Sequence, residues 1–266
     1  MRVAIYRIHY GLDYLQQSIE SITDCVDAVY VFYSSRPWCK DTTLTYRGQQ
    51  MDLPELPENI YQFAGQKLTN KVTIIPMEFD TADNQYYLMY KHVCEHYEKP
   101  TKTLMLEMDY VFAPGDCARL FEHTDPVVST KQIEMWRSLY WRVPQRDRLG
   151  VTLWNTDVTP TQKDTYDIDK TVRSDIQNYN FGFCMSPEVM YYKHLVAIMG
   201  SAKLGDSIPN ESWYEDKWRN WTPETENLEI SLQHAHTIKR AEPFEPPCQL
   251  VDYMQSFDNK YLLEKI

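Results

Sequence analysis

The chain has 266 residues, 43% of them hydrophobic and 24% charged, which suits one large globular domain or one domain with an appended subdomain. Its formal net charge of −11 argues against an overall electrostatic grip on nucleic acid and suits a protein that recruits a cation to a phosphorylated substrate. The six cysteines form no Cys-x-x-Cys pair, which argues against a zinc site and favours reduced thiols. No signal segment and no apolar run of about 18 residues is visible, so a cytoplasmic protein without a transmembrane segment is expected.

The first 110 or so residues alternate between strand and helix patterns. Arg2–Ile8 and Ala28–Tyr33 are short apolar runs that predict strands, and apolar residues recur at helical spacing from Leu12 to Ile22 between them. This β-α-β order predicts two parallel strands. Trp38–Glu58 has no clean period and is predicted to be a loop insertion.

Three further elements complete this half of the chain. Asn59–Thr69 predicts a short helix, and Val72–Phe79 predicts a third strand with Pro76 at its end or at a bulge. Asp80–Asn84 offers several N-cap residues for a helix whose tyrosines and Val93 share one face.

The fourth predicted strand, Thr103–Phe112, carries two carboxylates. Glu107 and Asp109 follow a continuous apolar run, which is typical of a strand buried on both faces of a parallel sheet, and the segment stops at Pro114-Gly115. Buried carboxylates need compensation, and either a Mg²⁺ or Mn²⁺ ion or a pairing Lys or Arg would supply it. Ligands of open α/β sheets bind outside these strand ends, which favours the metal.

The pattern changes after Asp116. Cys117–His123 predicts a helix, and three segments predict strands of a mixed sheet: Val127–Trp136, Tyr140–Val143 and Gly150–Leu153. Asp157–Gln177 is polar and without a period, which predicts a mobile loop. A helix is predicted to begin at Pro187 after the N-cap Ser186 and to stop at Gly200. In Glu211–Trp221, three tryptophans are expected to surround Glu215-Asp216.

Three segments, in this order, resemble glycosyltransferases of the GT-A fold, and most closely those of family 2. The segment Ile8–Ile22 is similar to that family's first loop and helix, which end in a Tyr-Leu…Ile-x-Ser-Ile pattern. Glu107-Met108-Asp109 stands where the family carries its metal-binding Asp-x-Asp, with Pro114 at the usual distance. Leu204-Gly205-Asp206 and Trp213–Asp216 resemble the later Gly-x-x-Asp…Glu-Asp segment near the acceptor.

The resemblance implies an α/β fold of GT-A type, with a Rossmann-like, mostly parallel central sheet flanked by helices and a smaller C-terminal region on the acceptor side. Residues 1–116 would form the donor-binding half and residues 117–266 the acceptor half of one continuous domain. The family's pattern is not matched everywhere. Glu107 replaces the first Asp of the metal motif, and the second strand ends in Tyr33-Ser34-Ser35 without the Asp that often contacts the nucleobase.

A nucleoside-diphosphate sugar, with UDP favoured, is the implied donor, and Mn²⁺ or Mg²⁺ the implied cofactor, because the departing diphosphate needs its charge neutralised. Asp109 is the first choice of metal ligand, with Glu107 beside it and a further ligand from His234 or His236. Paired exposed histidines are also common on strands. Arg7, His9 and Ser34 at the strand ends, with Asp83 and Asn84 at the helix start, are the other candidate nucleotide contacts, although Asp83 alternatively caps the helix.

An inverting transfer needs a base that deprotonates the acceptor hydroxyl. Asp216 is the candidate, with Glu215 as its neighbour, because a carboxylate shielded by tryptophans has a raised pKa. The alternative is an exposed acidic pair that balances Lys217 and Arg219. Trp213 and Trp218 either stack on an acceptor sugar or fill the core. Arg137, Arg142, Arg146 and Arg148 remain unassigned cations.

The acceptor is a glycan or another hydroxyl compound, and a nucleic-acid acceptor is not favoured. Three other functions remain open. A sugar nucleotidyltransferase of the same fold normally has a Gly-rich loop after the first strand, where only Gly11 is present. A non-catalytic glycan- or nucleotide-binding module would keep the fold without turnover. A metal-dependent nuclease is disfavoured by the acidic composition.

Overall fold

Parallel strands at the centre of a mixed sheet form the frame of the molecule. The computed structural model describes residues 1–36, 44–46, 49–55, 57–79, 85–144, 149–155, 171–204, 211–230 and 240–257. The strands are β1 Arg2–Ile8, β2 Ala28–Tyr33, β3 Leu44–Tyr46, β4 Gln49–Met51, β5 Val72–Pro76, β6 Lys102–Glu107, β7 Tyr110–Val111, β8 Val127–Trp136, β9 Ser138–Arg142, β10 Leu149–Asn155, β11 Thr171–Phe183 and β12 Glu242–Pro243. The helices are α1 Leu12–Glu20, α2 Pro57–Lys67, α3 Gln85–His96, α4 Asp116–Glu122, α5 Pro187–Leu204 and α6 Cys248–Gln255, with a 3₁₀ turn at Thr23–Cys25 and a π-helix at Tyr214–Arg219.

The strand order in the large sheet is β12-β9-β8-β10-β6-β1-β2-β5. β1 pairs in parallel with β2 and β6, and β2 pairs in parallel with β5. β10 runs antiparallel to both β6 and β8, while β11 pairs in parallel with β8 and antiparallel with β7. The fold is therefore a mixed α/β architecture with a parallel central sheet flanked by helices, and the fold class expected from the sequence is confirmed.

The two faces of the parallel strands carry separate apolar clusters. Alternate residues of β1, Val3 and Ile5, face a cluster that includes Met89 and Val93 of α3. The intervening residues, Ala4, Tyr6 and Ile8, belong to a larger cluster that α1 and much of the C-terminal half complete. Because both faces are covered by apolar side chains, ligands reach the parallel strands at their ends.

Several sequence predictions are confirmed at the level of single elements. β1 and β2 have the predicted bounds, and β5, the edge strand, ends at Pro76, a residue that sheets tolerate at their edges. Two predictions in this half are wrong in part. The segment Trp38–Glu58 contains the β3–β4 hairpin and the first turn of α2, and the acidic strand is interrupted by a turn at Met108-Asp109.

The other differences lie in the C-terminal half. Residues 171–177 of the predicted loop belong to β11, because the apolar strand β8 offers them a hydrogen-bonding partner that a sequence period does not reveal; the rest of that loop lies outside the described residues. α5 continues through Gly200 to Leu204, since an interior glycine costs only about 1 kcal/mol relative to alanine. None of the helices in the described part of the chain has the length and apolar character needed to cross a bilayer.

Replacing Gly150 in β10 tests how tightly β10, β8 and β11 pack. A Cβ at Gly150 would lie 2.1 Å from Asn178 Oδ1 and 2.5 Å from Thr130 Oγ1, two atoms that are hydrogen-bonded to each other at 2.6 Å. We expect Gly150→Ala to lower the free energy of unfolding by about 1–3 kcal/mol in urea titrations. Gly65→Ala in α2 is the control, because no atom lies within 4 Å of its new Cβ, and it should be neutral or stabilising by about 0.5–1 kcal/mol. Equal stability of Gly150→Ala and the wild type would contradict the packing described.

Candidate functional site

The order of the parallel strands reverses between β1 and β6. From β1 the chain builds outward through β2 to β5, and β6 then returns to the other side of β1. Such a switch point opens a crevice at the carboxyl ends of the strands, where α/β proteins bind ligands. Arg7 and Glu107 are register partners across it, and the Arg7 guanidinium donates a hydrogen bond to the Glu107 carboxylate.

Arg7 is held from the other side by the start of α3. Its Nη1 donates to Gln85 Oε1 at 3.0 Å, and its guanidinium lies 5.1 Å from the centre of the Tyr86 ring. Burial is the largest single influence and lowers the pKa of Arg7, but Glu107, Tyr86 and Tyr110 together raise it by more, so the net shift is upward. A fixed positive charge therefore stands at the switch point and pairs with Glu107, while a contact of Glu107 with a metal stays a prediction.

Asp109, in the turn after β6, is buried and is not fully satisfied. Its Oδ1 has no hydrogen-bond partner among the described residues. Asp109 Oδ2, Lys193 Nζ and Asn180 Oδ1 all approach Gly182. A Cβ built on Gly182 would lie 2.8 Å from Asp109 Oδ2, 2.8 Å from Lys193 Nζ and 2.9 Å from Asn180 Oδ1. A side chain at this position would therefore crowd all three polar groups.

The ionisation of Asp109 reflects this environment. Burial raises the pKa of the carboxyl group to about 6, Lys193 acts in the opposite direction, and Glu107 adds to the rise. Lys193 itself donates to the carbonyl of Gly182 at 2.6 Å. At neutral pH the carboxylate is thus charged at a cost, and a ligand that accepts its electron density would relieve that cost.

These residues fit a divalent cation in the way expected for a substrate-bound metal. Asp109 Oδ1 is a buried, unpartnered oxygen ligand, and Glu107 lies two residues before it. No group of three or more His, Cys, Asp or Glu side chains suited to a metal occurs within the described ranges. Mg²⁺ commonly takes one or two carboxylates from the protein and its other ligands from phosphates and water, so this small ligand set is compatible with it.

His9 and Ser34 also lie at this edge of the sheet. His9 is buried, its Nδ1 donates to the Ser34 carbonyl at 2.8 Å, and its Nε2 accepts from the Tyr192 hydroxyl at 2.9 Å. Burial lowers the pKa of His9, while the Ser34 carbonyl and Glu78 oppose the shift. Both ring nitrogens are therefore used to fix the loop after β1, and a contact of His9 with nucleotide stays a prediction.

Glu78 supplies a carboxylate beside β2 that the sequence analysis did not single out. It accepts hydrogen bonds from the Ser34 hydroxyl at 2.9 Å, from the Ser35 amide at 3.0 Å and from Arg36 Nε at 3.1 Å. Burial raises the pKa of Glu78, but these donors, with Ser35 foremost, lower it by more. The end of β2 thus lies beside a carboxylate that is paired with Arg36, even though the strand itself ends in Ser34-Ser35.

The N-terminus of α1 is occupied by a carboxylate of the chain. Glu55 accepts from the Gly11 amide at 2.5 Å and from the Leu12 amide at 2.8 Å. Gly11 has φ 103°, a conformation that favours glycine. The two amides that a phosphate would seek at this helix start are therefore already bonded.

A cavity of about 650 Å³ lies in the C-terminal half. Its charged lining residues are Arg137, Glu188, Glu215 and Arg219, and its aromatic ones are Tyr191, Tyr214 and Trp218. Cys184 connects the two regions: it lines the cavity, and Asp109 and Lys193 both lie close enough to influence its pKa, which burial raises strongly. The cavity is thus adjacent to the buried carboxylate.

Of the two predicted catalytic residues, Glu215 and Asp216, only Glu215 lines the cavity. Glu215 lines the cavity and pairs with Arg219 at 3.1 Å, whereas Asp216 is not among the lining residues and accepts from the Ser212 hydroxyl at 2.6 Å. The expectation that tryptophans shield these acids is wrong, because both are exposed while Trp213, Trp218 and Trp221 are buried. On the π-helix the acids and the tryptophans point to different sides.

The two candidate stacking residues also differ. Trp213 fills the core, and its Nε1 donates to the Leu228 carbonyl at 2.7 Å. Trp218 is buried as well but borders the cavity, and its Nε1 donates to the Phe183 carbonyl at 2.9 Å. A stacking role for Trp213 is excluded by this burial, whereas Trp218 lines the cavity and a stacking role for it stays a prediction.

Four of the residues predicted to bind ligands, or named as alternatives, lie outside the described residues: Asp83, Asn84, His234 and His236. Asp206 of the motif near the acceptor lies outside them as well. The unassigned Arg146 and Arg148 are outside them too, whereas Arg142 pairs with Glu242 at 2.7 Å on the β9–β12 edge, and Arg137 lies at the cavity.

Sequence reasoning missed Lys193, Gly182, Glu78 and Glu188. The first had a visible signal, because a lone cation interrupts the apolar pattern of the predicted helix from Pro187. The other three depend on tertiary structure: Glu78 is placed by the pairing of β2 with β5, Gly182 by the pairing of β11 with β7, and Glu188 by the packing of α5.

Neither a protein-family model nor a curated protein matches the chain. Among solved structures, HddC from Yersinia pseudotuberculosis is 12% identical with a TM-score of 0.41, over 74% of this chain and 99% of that one. The 4-diphosphocytidyl-2C-methyl-D-erythritol synthase from Anaerococcus prevotii is 8% identical with a TM-score of 0.41, over 71% and 95%. The inositol-1-phosphate CTP transferase from T. maritima is 11% identical with a TM-score of 0.42, over 79% and 98%. At these values none of the likenesses carries a functional assignment to this chain.

Asp109 should destabilise the folded protein at neutral pH. Because its pKa in the folded state, about 6, lies above the ordinary aspartate value of 3.8, the wild type loses stability as the pH rises through this interval. Asp109→Asn has no such loss, so without metal it should be more stable than the wild type at pH 7.5, by at most about 3 kcal/mol, with a smaller difference at pH 4. Thermal unfolding of both proteins in chelator across pH 4–8 measures this. A pH-independent difference would contradict the burial cost assigned to the carboxylate.

Proposed function

We propose that the protein is a metal-dependent glycosyltransferase that moves a sugar from a nucleoside-diphosphate donor, with UDP favoured, to an acceptor hydroxyl. The observation that carries the proposal is the buried, unpartnered Asp109 oxygen at the switch point beside a cavity lined by Glu215. One end of this arrangement suits a diphosphate, and the other suits a hydroxyl compound and its base. The family 2 resemblance of Ile8–Ile22 and of Glu107-Met108-Asp109 supports the same reaction.

On the donor side, Arg7 provides a permanent positive charge in the crevice where the diphosphate would lie. Gln85 and Tyr86 fix the orientation of the Arg7 side chain, so binding of a diphosphate does not carry the entropic cost of immobilising it. Asp109, with Glu107 beside it, would hold Mn²⁺ or Mg²⁺, and His236 remains a predicted further ligand. When bound, the ion acts as a Lewis acid toward the departing diphosphate.

On the acceptor side, Glu215 is the favoured general base because it is the member of the Glu215-Asp216 pair that lines the cavity. As base it would take the proton of the acceptor hydroxyl while that oxygen attacks the anomeric carbon, and inversion follows from a single displacement. Arg219, paired with Glu215, holds the carboxylate in place. In this proposal residues 1–116 bind the donor and residues 117–266 the acceptor.

Nucleotidyl transfer is the second candidate. Lys193 and Arg7 place two cations beside the carboxylates, which favours a ligand richer in phosphate than a diphosphate sugar. Against it, Glu55 already occupies the Gly11 and Leu12 amides at the start of α1. The two reactions release different products, so one assay separates them.

Titration with UDP, GDP and CDP by calorimetry, with and without Mn²⁺, tests the donor site. We expect one nucleoside diphosphate to bind in a metal-dependent manner and Asp109→Asn to weaken it at least tenfold, because the variant loses the charged oxygen ligand. Asp252→Asn, the same change at an exposed position of α6, is the matched control and should bind like the wild type.

Product analysis then distinguishes the reactions. Release of nucleoside diphosphate from a nucleotide sugar supports glycosyl transfer, whereas release of pyrophosphate from a nucleoside triphosphate and a sugar phosphate supports nucleotidyl transfer. Failure of every diphosphate to bind under all metal conditions would overturn the proposed activity.

The division of Glu215 from Asp216 gives a kinetic prediction. Glu215→Gln should lower kcat by about 10²–10⁴-fold, the usual contribution of a general base, with a smaller effect on KM. Asp216→Asn should change kcat much less, since Asp216 bonds to Ser212 and does not line the cavity. The reverse ranking of the two variants would assign the base to Asp216.

A further inference from the structure

The cavity between the start of α5 and the π-helix differs in chemistry from the crevice at Asp109. We infer that it binds a neutral carbohydrate, which would be the acceptor. The binding of a neutral saccharide does not depend on the proposed function, but its role as the acceptor rests on that function. The inference therefore names the chemical class of the acceptor, which the sequence motifs do not indicate.

The first argument is the balance of charge. Among the described residues, two cations, Arg137 and Arg219, and two anions, Glu188 and Glu215, line the cavity, so these residues supply no excess positive charge for a phosphate or carboxylate ligand. Glu215 and Arg219 neutralise each other at 3.1 Å. A set of alternating donors and acceptors matches sugar hydroxyls, each of which both donates and accepts hydrogen bonds.

The second argument is the aromatic wall. Tyr214 and Trp218 lie nearly parallel, with ring centres 5.5 Å apart and an interplanar angle of 18°. Tyr191 stands against Tyr214 edge-on at 5.1 Å and 62°, and it remains 38% exposed. Tyrosine and tryptophan pair an apolar face with a polar tip, which suits a ligand that has an apolar C–H face and a hydroxyl rim.

The third argument is the unusual backbone around the cavity. Arg137 has φ 59°, a left-handed conformation that is costly for a non-glycine residue and is found mainly at functional sites. Its guanidinium lies 4.8 Å from the Trp218 ring centre and donates to the carbonyls of Trp218 and Arg219. These hydrogen bonds hold the segment Tyr214–Arg219, which is a π-helix. π-Helices are rare in proteins, and those that occur are often found at functional sites.

Glu188 completes the polar lining. It lies in the first turn of α5, is exposed, and has no hydrogen bond or ion pair with any other described residue. Its carboxylate is therefore available to accept from a ligand hydroxyl. The helix start alone would explain an acidic residue there, but the aromatic wall and the clamped π-helix face the same cavity.

Saccharide binding measured by saturation-transfer NMR tests the inference. The neutral probes are glucose, galactose, N-acetylglucosamine and their short oligomers; glucuronic acid and glucose 6-phosphate are the charged probes; each is run with and without UDP or GDP and Mn²⁺. We expect at least one neutral probe to bind, and Tyr191→Ala to weaken it at least fivefold while nucleotide affinity is unchanged. Tyr61→Ala, an exposed tyrosine of α2 that does not line the cavity, is the matched control.

The outcomes separate this inference from the proposed function. Neutral saccharide binding without any nucleotide binding would keep the inference and leave a non-catalytic glycan-binding module. Nucleotide binding without any neutral saccharide binding would overturn the inference alone, as would binding restricted to the charged probes. Equal weakening by Tyr191→Ala and Tyr61→Ala would also overturn it, because the saccharide would then lie outside the cavity.

Discussion

The ion pair between Arg7 and Glu107 is the constraint around which the crevice is arranged. Glu107 ends a buried parallel strand, where an uncompensated carboxylate is costly, and Arg7 is its register partner across the switch point. The start of α3 then closes over Arg7 through Gln85 and Tyr86. Because this pair balances its own charge, the second carboxylate, Asp109, is the one left with an unpartnered oxygen. The unpartnered oxygen of Asp109 is thus a consequence of the pairing of Glu107 with Arg7.

At two positions near the crevice and the cavity, Asp109 and Arg137, the folded state carries a local energetic cost. Asp109 is ionised inside the protein at neutral pH although burial opposes its charge. Arg137 holds a left-handed backbone that glycine would adopt at lower cost. Each of the two is fixed by several contacts from different elements, which is how a fold retains a locally unfavourable conformation. Their concentration beside the crevice and the cavity, rather than across the sheet faces, is what directs attention to this end of the molecule.

The crevice and the cavity differ in a way that suits a transfer reaction. The crevice holds fixed charges of both signs, with Arg7 and Lys193 beside Glu107 and Asp109. The cavity has balanced charge and an aromatic wall formed by Tyr191, Tyr214 and Trp218. Cys184 belongs to the boundary between them, since it lines the cavity and its pKa responds to Asp109, Lys193 and Arg137. A charged donor and a neutral acceptor would therefore meet at adjacent sites of unlike polarity.

The parallel half of the fold and the location of the crevice could be predicted from sequence patterns alone. Apolar runs such as Arg2–Ile8 and Ala28–Tyr33 are buried on both faces and can form little else, and the carboxylates after Leu106 had to lie at a strand end. What remained undecided depended on partners distant in the chain. The pairing of Glu107 with Arg7 depends on the register of β1 with β6, and the polar start of β11 became a strand because β8 lies beside it. The separation of Glu215 from Asp216 depends on the turn of the π-helix, since residues adjacent in sequence point in different directions on any helix, and only the tertiary structure decides which one faces a cavity.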